Sequence, residues 1–169
     1  MYKRQGISLS KLEDISYFKT GRLFEASARC GALLSNSKGS YVHNISECAK
    51  NPGIVFQIKD DLLDYLGQED TLGKPAFQDI KEGKVTYPFY FAYKNAGNED
   101  KKILLNMLGN KKVSHLKVSK LINKLGGIIE TENLAAKYIK KCKASALKID
   151  KHIQKEMLKL LDSSINRDR

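Results

Sequence analysis

The chain has 169 residues, of which 41% are apolar and 29% are charged, a composition typical of a folded domain and not of a disordered segment. No apolar run approaches the ~20 residues that a membrane-spanning helix needs, and the N-terminus lacks the apolar core of a signal peptide. The three cysteines are odd in number and widely spaced. This disfavours a disulfide framework or a zinc site, favours a cytoplasmic location, and predicts that each cysteine is a small buried residue.

The net charge of +11 is concentrated in the C-terminal part of the chain, where residues 101–169 hold 17 Lys and Arg against 6 Asp and Glu. Such a segment suits an anionic partner, either a nucleic acid or a membrane surface. Tyr138 is the only aromatic residue beyond position 100, so the segment lacks aromatic platforms for stacking single-stranded bases. Since its lysines alternate with Leu and Ile at helical spacing, we interpret it as solvated basic helix faces and expect no nucleic-acid partner.

The N-terminal third predicts two long helices. Residues 1–7 carry no usable pattern and are expected to be an unstructured lead or remnant, ahead of one domain at 8–169. Ser10, followed by Glu13, predicts a capping box for a helix that runs to about residue 34. After a polar turn, a second helix is expected to begin near residue 41, and Pro52-Gly53 is expected to kink or restart it.

The remainder of the chain predicts a loop and five further helices. The loop spans residues 67–77, and Pro88 is expected in the first turn of the apolar helix that follows. After a polar turn at 95–100, helical spacing predicts helices at 101–109, 114–125, 131–149 and 150–162. No strand alternation persists anywhere, so the predicted fold class is all-α.

The most informative stretch is an acidic helix face. At 100° per residue, Gln57, Asp60, Asp61 and Asp64 project within an arc of about 100°. Flanking apolar residues indicate a half-buried helix, on which clustered carboxylates repel one another unless a cation neutralises them. Their oxygen ligands suit a hard divalent ion, Mg²⁺ first. The alternative is a solvated acidic surface with no ligand.

Basic residues follow this face. Lys74 and Lys84 flank Asp79 in a glycine-punctuated segment, which suits a phosphorylated ligand whose charge the lysines and the metal share. The spacing fits neither a P-loop nor an EF-hand.

Three segments of the sequence resemble motifs of a known protein family. Gly53-x-x-Phe56-Gln57-x-x-Asp60-Asp61-x-x-Asp64 resembles the second aspartate-rich motif of the trans-isoprenyl diphosphate synthases, or polyprenyl synthetases. The segments Gly73-Lys74, Asp79-Ile80 and Glu82-Gly83-Lys84-x-Thr86-x-Pro88 are similar to that family's next block. Lys19-Thr20 resembles its Lys-Thr-Ala-x-Leu segment, with Gly21 in place of the usual Ala.

The resemblance implies an isoprenoid-synthase-type helical bundle, of which this chain supplies the C-terminal half. The family's first aspartate-rich motif lies in its N-terminal half, and Asp60-Asp61 is the only Asp-Asp pair here. We therefore expect either a fragment or a chain that needs a partner, inactive alone and homodimeric when full-length.

The implied activity is Mg²⁺-dependent, head-to-tail transfer of a prenyl group from an allylic diphosphate to isopentenyl diphosphate, as in geranyl, farnesyl or octaprenyl diphosphate synthases. The residues implied to hold Mg²⁺ are Asp60, Asp61, Asp64 and Asp79. Those implied to bind and activate the diphosphate are Lys19, Lys74 and Lys84, with Thr20 and Gln57 in the same pocket.

Two alternatives remain open. One is a non-catalytic or regulatory subunit of a two-chain synthase, against which the intact acidic face argues. The other is a basic helical binding module, for which salt-sensitive binding to nucleic acid would speak.

Overall fold

The computed structural model describes residues 7–66 and 77–166, and these are helical without a strand, which confirms the all-α prediction. The helices are α1 (Leu9–Ser16), a π-helical turn (Tyr17–Gly21), α2 (Arg22–Leu34), α3 (Gly39–Leu66), α4 (Gln78–Lys81), α5 (Tyr87–Asn95), α6 (Asn98–Met107), α7 (His115–Lys124), α8 (Gly127–Ala146) and α9 (Lys151–Ile165). Within the described ranges, no helix combines the length and apolarity that crossing a bilayer requires.

Residues 1–6 of the predicted lead lie outside the described residues. So do residues 67–76 of the predicted loop, among them Lys74. The predicted domain limits, 1–7 and 8–169, stay a prediction.

The chain divides into two compact units. One contains residues 60–133 together with the start of α1, and the other contains residues 13–59 and 134–167. The long helices α3 and α8 each run from one unit into the other. The described carboxylates of the acidic face therefore fall in the first unit, whereas Lys19, Thr20 and Gln57 fall in the second.

The first unit has an apolar core. Its buried members are Tyr65, Phe77, Ile80, Phe89, Ala92, Ala96, Leu104, Leu108, Val118 and Ile122. The core depends on one close approach, because a Cβ atom at Gly127 would lie 2.3 Å from the Pro88 carbonyl oxygen. The preceding Gly126 has a left-handed φ of 75°, which changes the direction of the chain just before α8. Because Gly127 has no side chain, the start of α8 can pack directly against α5. Pro88 lies in the first turn of α5, as predicted.

The second unit contradicts one part of the prediction for Pro52, because the helix does not restart there. The helix α3 runs through this proline from residue 39 to 66 without a break. Pro52 has no N–H for the carbonyl of Cys48 four residues earlier, but that carbonyl accepts a weak hydrogen bond from Cys142 Sγ at 3.9 Å. A contact across 94 residues of sequence thus compensates the missing donor, which local sequence does not reveal.

Three further predictions were wrong in detail. The cap of α1 is Ser8 and not Ser10, since Ser8 Oγ accepts the Lys11 N–H at 3.2 Å. Helix α6 begins at Asn98, because Glu99 and Asp100 lie in its first turn, where negative charge is favoured. Cys48 and Cys142 are buried as expected, but Cys30 is exposed on α2.

Two glycines set the packing of the π-helical turn. A Cβ atom at Gly53 would lie 2.7 Å from Gly21 Cα and 3.2 Å from the Thr20 carbonyl carbon. The two backbones therefore touch with no side chain between them. Gly21 is itself buried at this contact.

We expect Gly53→Ala to destabilise the protein by ~1–3 kcal/mol, because the added methyl group meets backbone atoms that cannot move aside. Urea unfolding measures the change. The matched control is Gly31→Ala in α2, where nothing lies within 4 Å of the added atom and higher helix propensity should stabilise by up to ~1 kcal/mol. Equal stability of the two variants would contradict the close-packing argument.

Candidate functional site

The third aspartate of the acidic face holds the following segment in place. Asp64 is fully buried, and its carboxylate accepts the backbone N–H groups of Gln78 at 3.1 Å and Asp79 at 3.3 Å. These are the first two residues of α4, whose N-terminal N–H groups have no partner within their own helix. The Asp64 carbonyl also accepts the Phe77 N–H at 3.0 Å. Asp64 is therefore a cap supplied from α3 to α4.

The second aspartate has a similar role toward α5. Asp61 Oδ2 accepts the N–H of Tyr87, the first residue of that helix, at 3.1 Å. Thr86, at the N-cap position, makes no side-chain cap and instead donates its hydroxyl to Tyr65 at 3.2 Å. A carboxylate at a helix N-terminus is also favoured by the helix dipole.

Asp60, like Asp61, is more exposed than Asp64. It is half-buried, whereas Asp64 one turn later is sealed from solvent. Its carboxylate thus lies on the same helix face but within reach of solvent. Among the three aspartates of the motif, Asp60 and Asp61 are the ones that a solvated ion can approach.

Lys84 forms the basic part of the site. Its Nζ lies 3.2 Å from Asp79 Oδ1 and 2.7 Å from Glu82 Oε2. The hydrogen bond with Glu82, with a smaller contribution from Asp79, raises the pKa of Lys84, and Lys84 in turn lowers the pKa of Glu82. The lysine therefore keeps its proton at neutral pH, on a turn that remains largely exposed.

Two core residues that sequence reasoning missed support this arrangement. Phe77 adopts a left-handed φ of 59° immediately before α4, and its ring packs edge-on against Tyr65, with centroids 5.5 Å apart. Burial raises the pKa of Tyr65, so its hydroxyl stays neutral and accepts the Thr86 hydrogen bond. A left-handed phenylalanine leaves no local signal in sequence, because its conformation depends on the tertiary packing.

The other predicted residues lie in the second unit. Lys19 and Thr20 lie on the π-helical turn, a local geometry that often marks functional sites. Lys19 is exposed and Thr20 half-buried. Gln57 is buried one helical turn after Gly53, the residue against which this turn packs.

The acidic face has the type of ligand that Mg²⁺ binds, but its side chains are not arranged as a complete metal site in the described residues. Carboxylate oxygens are the ligands that Mg²⁺ prefers, and the described residues 60–66 and 77–84 contain five carboxylates and two lysines. Within the described part of the chain, however, no three His, Cys, Asp or Glu side chains converge to hold a metal. Such a sparse arrangement matches Mg²⁺ sites in which one or two carboxylates act together with substrate phosphates.

Comparison with known proteins places this geometry in a family. Residues 1–125 match the family model for polyprenyl synthetase. The chain belongs to the polyprenyl synthetase family. The match includes the acidic face, the Lys84 turn and the π-helical turn, which confirms the resemblance found in the sequence.

The relatives of this polyprenyl synthetase chain are longer than it is. It is 40% identical over 117 residues to a short chain isoprenyl diphosphate synthase of Methanocaldococcus jannaschii, covering 69% of this chain and 36% of that protein. It is 41% identical over 129 residues to a geranylgeranyl diphosphate synthase of Sulfolobus acidocaldarius, covering 75% of this chain and 39% of that protein. The chain thus spans less than half the length of these curated relatives.

A solved structure agrees with the fold. The polyprenyl synthase of Caulobacter crescentus, solved with calcium and isoprenyl diphosphate, superimposes with a TM-score of 0.87 at 28% identity. The likeness covers 99% of this chain and 52% of that one. The described helices therefore correspond to about half of a polyprenyl synthase.

We expect Asp64→Ala to lower the free energy of unfolding by ~1–3 kcal/mol, because it leaves two N–H groups of α4 without their acceptor. Thermal or urea unfolding measures it. The matched control is Asp162→Ala on the exposed surface of α9, which should change stability by less than ~0.5 kcal/mol. A wild-type midpoint for Asp64→Ala would refute the capping role.

Proposed function

We propose that the chain contributes the second aspartate-rich wall of a trans-prenyl diphosphate synthase, which joins an allylic diphosphate to isopentenyl diphosphate. The observation that carries this proposal is the linkage of the acidic face of α3 to the Lys84 turn through Asp64, in a chain of this family. A structural subunit with no ligand would need the helix caps of Asp61 and Asp64, but not the further carboxylate of Asp60 on the same face.

The described aspartates have two roles in this proposal, metal binding and helix capping. Asp60 and Asp79 would be the principal residues to hold Mg²⁺, with Asp61, whose carboxylate is equally half-buried, as a further one. Asp61 and Asp64 act chiefly through the helices they cap, which hold the Asp79 and Lys84 segment beside the acidic face. When bound, Mg²⁺ neutralises charge that develops on the departing diphosphate.

Lysines supply the remaining positive charge. Lys84, protonated and exposed, exchanges its carboxylate partners for oxygens of the allylic diphosphate. Lys19, Thr20 and Gln57, and Lys74 outside the described residues, are the further diphosphate contacts in this proposal. The C–O bond of the allylic diphosphate then breaks, the double bond of isopentenyl diphosphate attacks the allylic carbon, and a proton leaves the product. Charge stabilisation of the leaving group is the protein's main contribution to the barrier.

The first test is calorimetric titration with a non-reactive farnesyl thiodiphosphate, with and without Mg²⁺. We expect Mg²⁺-dependent binding that Asp60→Ala weakens at least about tenfold, since a metal contact is lost. Asp162→Ala, which removes an exposed carboxylate from α9, is the control and should bind like wild type. Mg²⁺-independent binding, or equal affinity of the two variants, would exclude the proposed metal face.

The second test asks whether the 169-residue protein is active without a second polypeptide. We expect no chain elongation by the pure 169-residue protein, because only one of the family's two metal-binding walls is present. Adding a polypeptide that carries the family's first aspartate-rich motif should restore product. Phe18, Leu23, Leu33 and Leu34, each at least 54% exposed, offer apolar surface for such a polypeptide. Turnover by the chain alone, measured with radiolabelled isopentenyl diphosphate, would contradict this expectation. The homodimer stays a prediction.

A further inference from the structure

The second unit carries a lysine-rich helical hairpin that the proposed reaction does not use. It consists of residues 134–165, from the second half of α8 to the end of α9. Seven lysines lie between positions 137 and 155 of this hairpin, against one acidic residue, Asp150. That aspartate already accepts the Tyr41 hydroxyl at 2.5 Å.

Five of these seven lysines lie on one side of their own helix. At 100° per residue, Lys137, Lys140 and Lys143 of α8 project within about 120° of one another. Lys151 and Lys155 of α9 project within about 40°. All five are exposed.

A groove with a largely apolar surface lies between α8 and α9. It measures about 530 Å³ and is lined by Lys140, Lys143, Ala144, Leu147, Gln154 and Leu158. Leu147, at the hairpin turn, is 76% exposed. The surface thus combines cations with an apolar centre, which is the composition of interfacial helices at membranes.

The positive charge of this surface is largely uncompensated. Lys159 pairs with Glu156 at 2.8 Å, and Lys141 lies over the ring of Tyr138 at 4.5 Å. Among the described residues, Lys140, Lys143, Lys151 and Lys155 make no ion pair within 4 Å. A face of unpaired cations gains most from a polyanionic partner.

We propose that this hairpin docks the protein on an anionic membrane surface. Charge complementarity selects an anionic partner, and the exposed Leu147 and the groove favour a lipid layer over a nucleic acid. The one aromatic residue of the hairpin, Tyr138, is buried and cannot stack on bases. Docking on the membrane is independent of the proposed diphosphate chemistry and requires neither Mg²⁺ nor substrate.

Vesicle co-sedimentation of the full chain tests the electrostatic part. We expect binding to vesicles of about 30% phosphatidylglycerol in phosphatidylcholine, none to pure phosphatidylcholine, and loss of binding when salt rises from about 0.1 to about 0.5 M. The double variant Lys140→Glu/Lys143→Glu should bind at least about 25-fold more weakly, taking each lysine as worth about fivefold.

A charge-matched control separates this patch from net charge. Lys111→Glu/Lys112→Glu makes the same change in charge at an exposed turn of the other unit and should weaken binding less than about threefold. Circular dichroism checks that both variants are folded. Equal loss in both double variants, or tighter binding to a single-stranded RNA homopolymer than to the vesicles at equal salt, would overturn the proposal.

The apolar part has its own matched pair. Leu147→Ser should weaken vesicle binding severalfold, because it removes the side chain that enters the lipid layer. Leu116→Ser, at a leucine that is 73% exposed on α7, should have no effect. Equal behaviour of the two variants would overturn insertion at the hairpin turn.

Discussion

A single buried carboxylate organises the candidate site. Asp64 joins α3 to residues that follow it by 14 and 15 positions, and it does so through two backbone N–H groups in a place closed to solvent. Buried polar groups are costly without hydrogen-bond partners, and this contact satisfies both the Asp64 side chain and two N–H groups. The position of Asp79 and of the Lys84 turn beside the acidic face depends on this contact. Asp61 makes the same kind of contact with α5, where it accepts the N–H of Tyr87.

The aspartates of this one motif therefore have two different roles. An aspartate-rich sequence suggests several equivalent metal ligands, but the aspartates differ in their surroundings. Two of them satisfy helix N-termini that would otherwise be left without acceptors, whereas Asp60 is half-buried at the solvent boundary. A substitution at Asp64 should therefore be tested for stability before any loss of binding is assigned to the metal.

Backbone contacts at glycine are the second constraint. Gly21 against Gly53, and Gly127 against Pro88, bring helices closer than any side chain permits. The first contact fixes the π-helical turn that bears Lys19 and Thr20, and the second closes the core around α5. In each unit, glycine thus positions elements that carry or support the predicted ligand contacts.

Local sequence was sufficient for the helical class, the shared face of Asp60, Asp61 and Asp64, and the helix that begins around Pro88, because each follows from a 3.6-residue period or a terminal signal. It did not reveal the unbroken helix through Pro52, the left-handed Phe77, the exposed Cys30 or the capping roles of two aspartates. Those features depend on partners distant in sequence, such as Cys142 for the carbonyl that Pro52 leaves without a donor. A residue's local pattern states which face it occupies, whereas only packing determines which atoms meet it there.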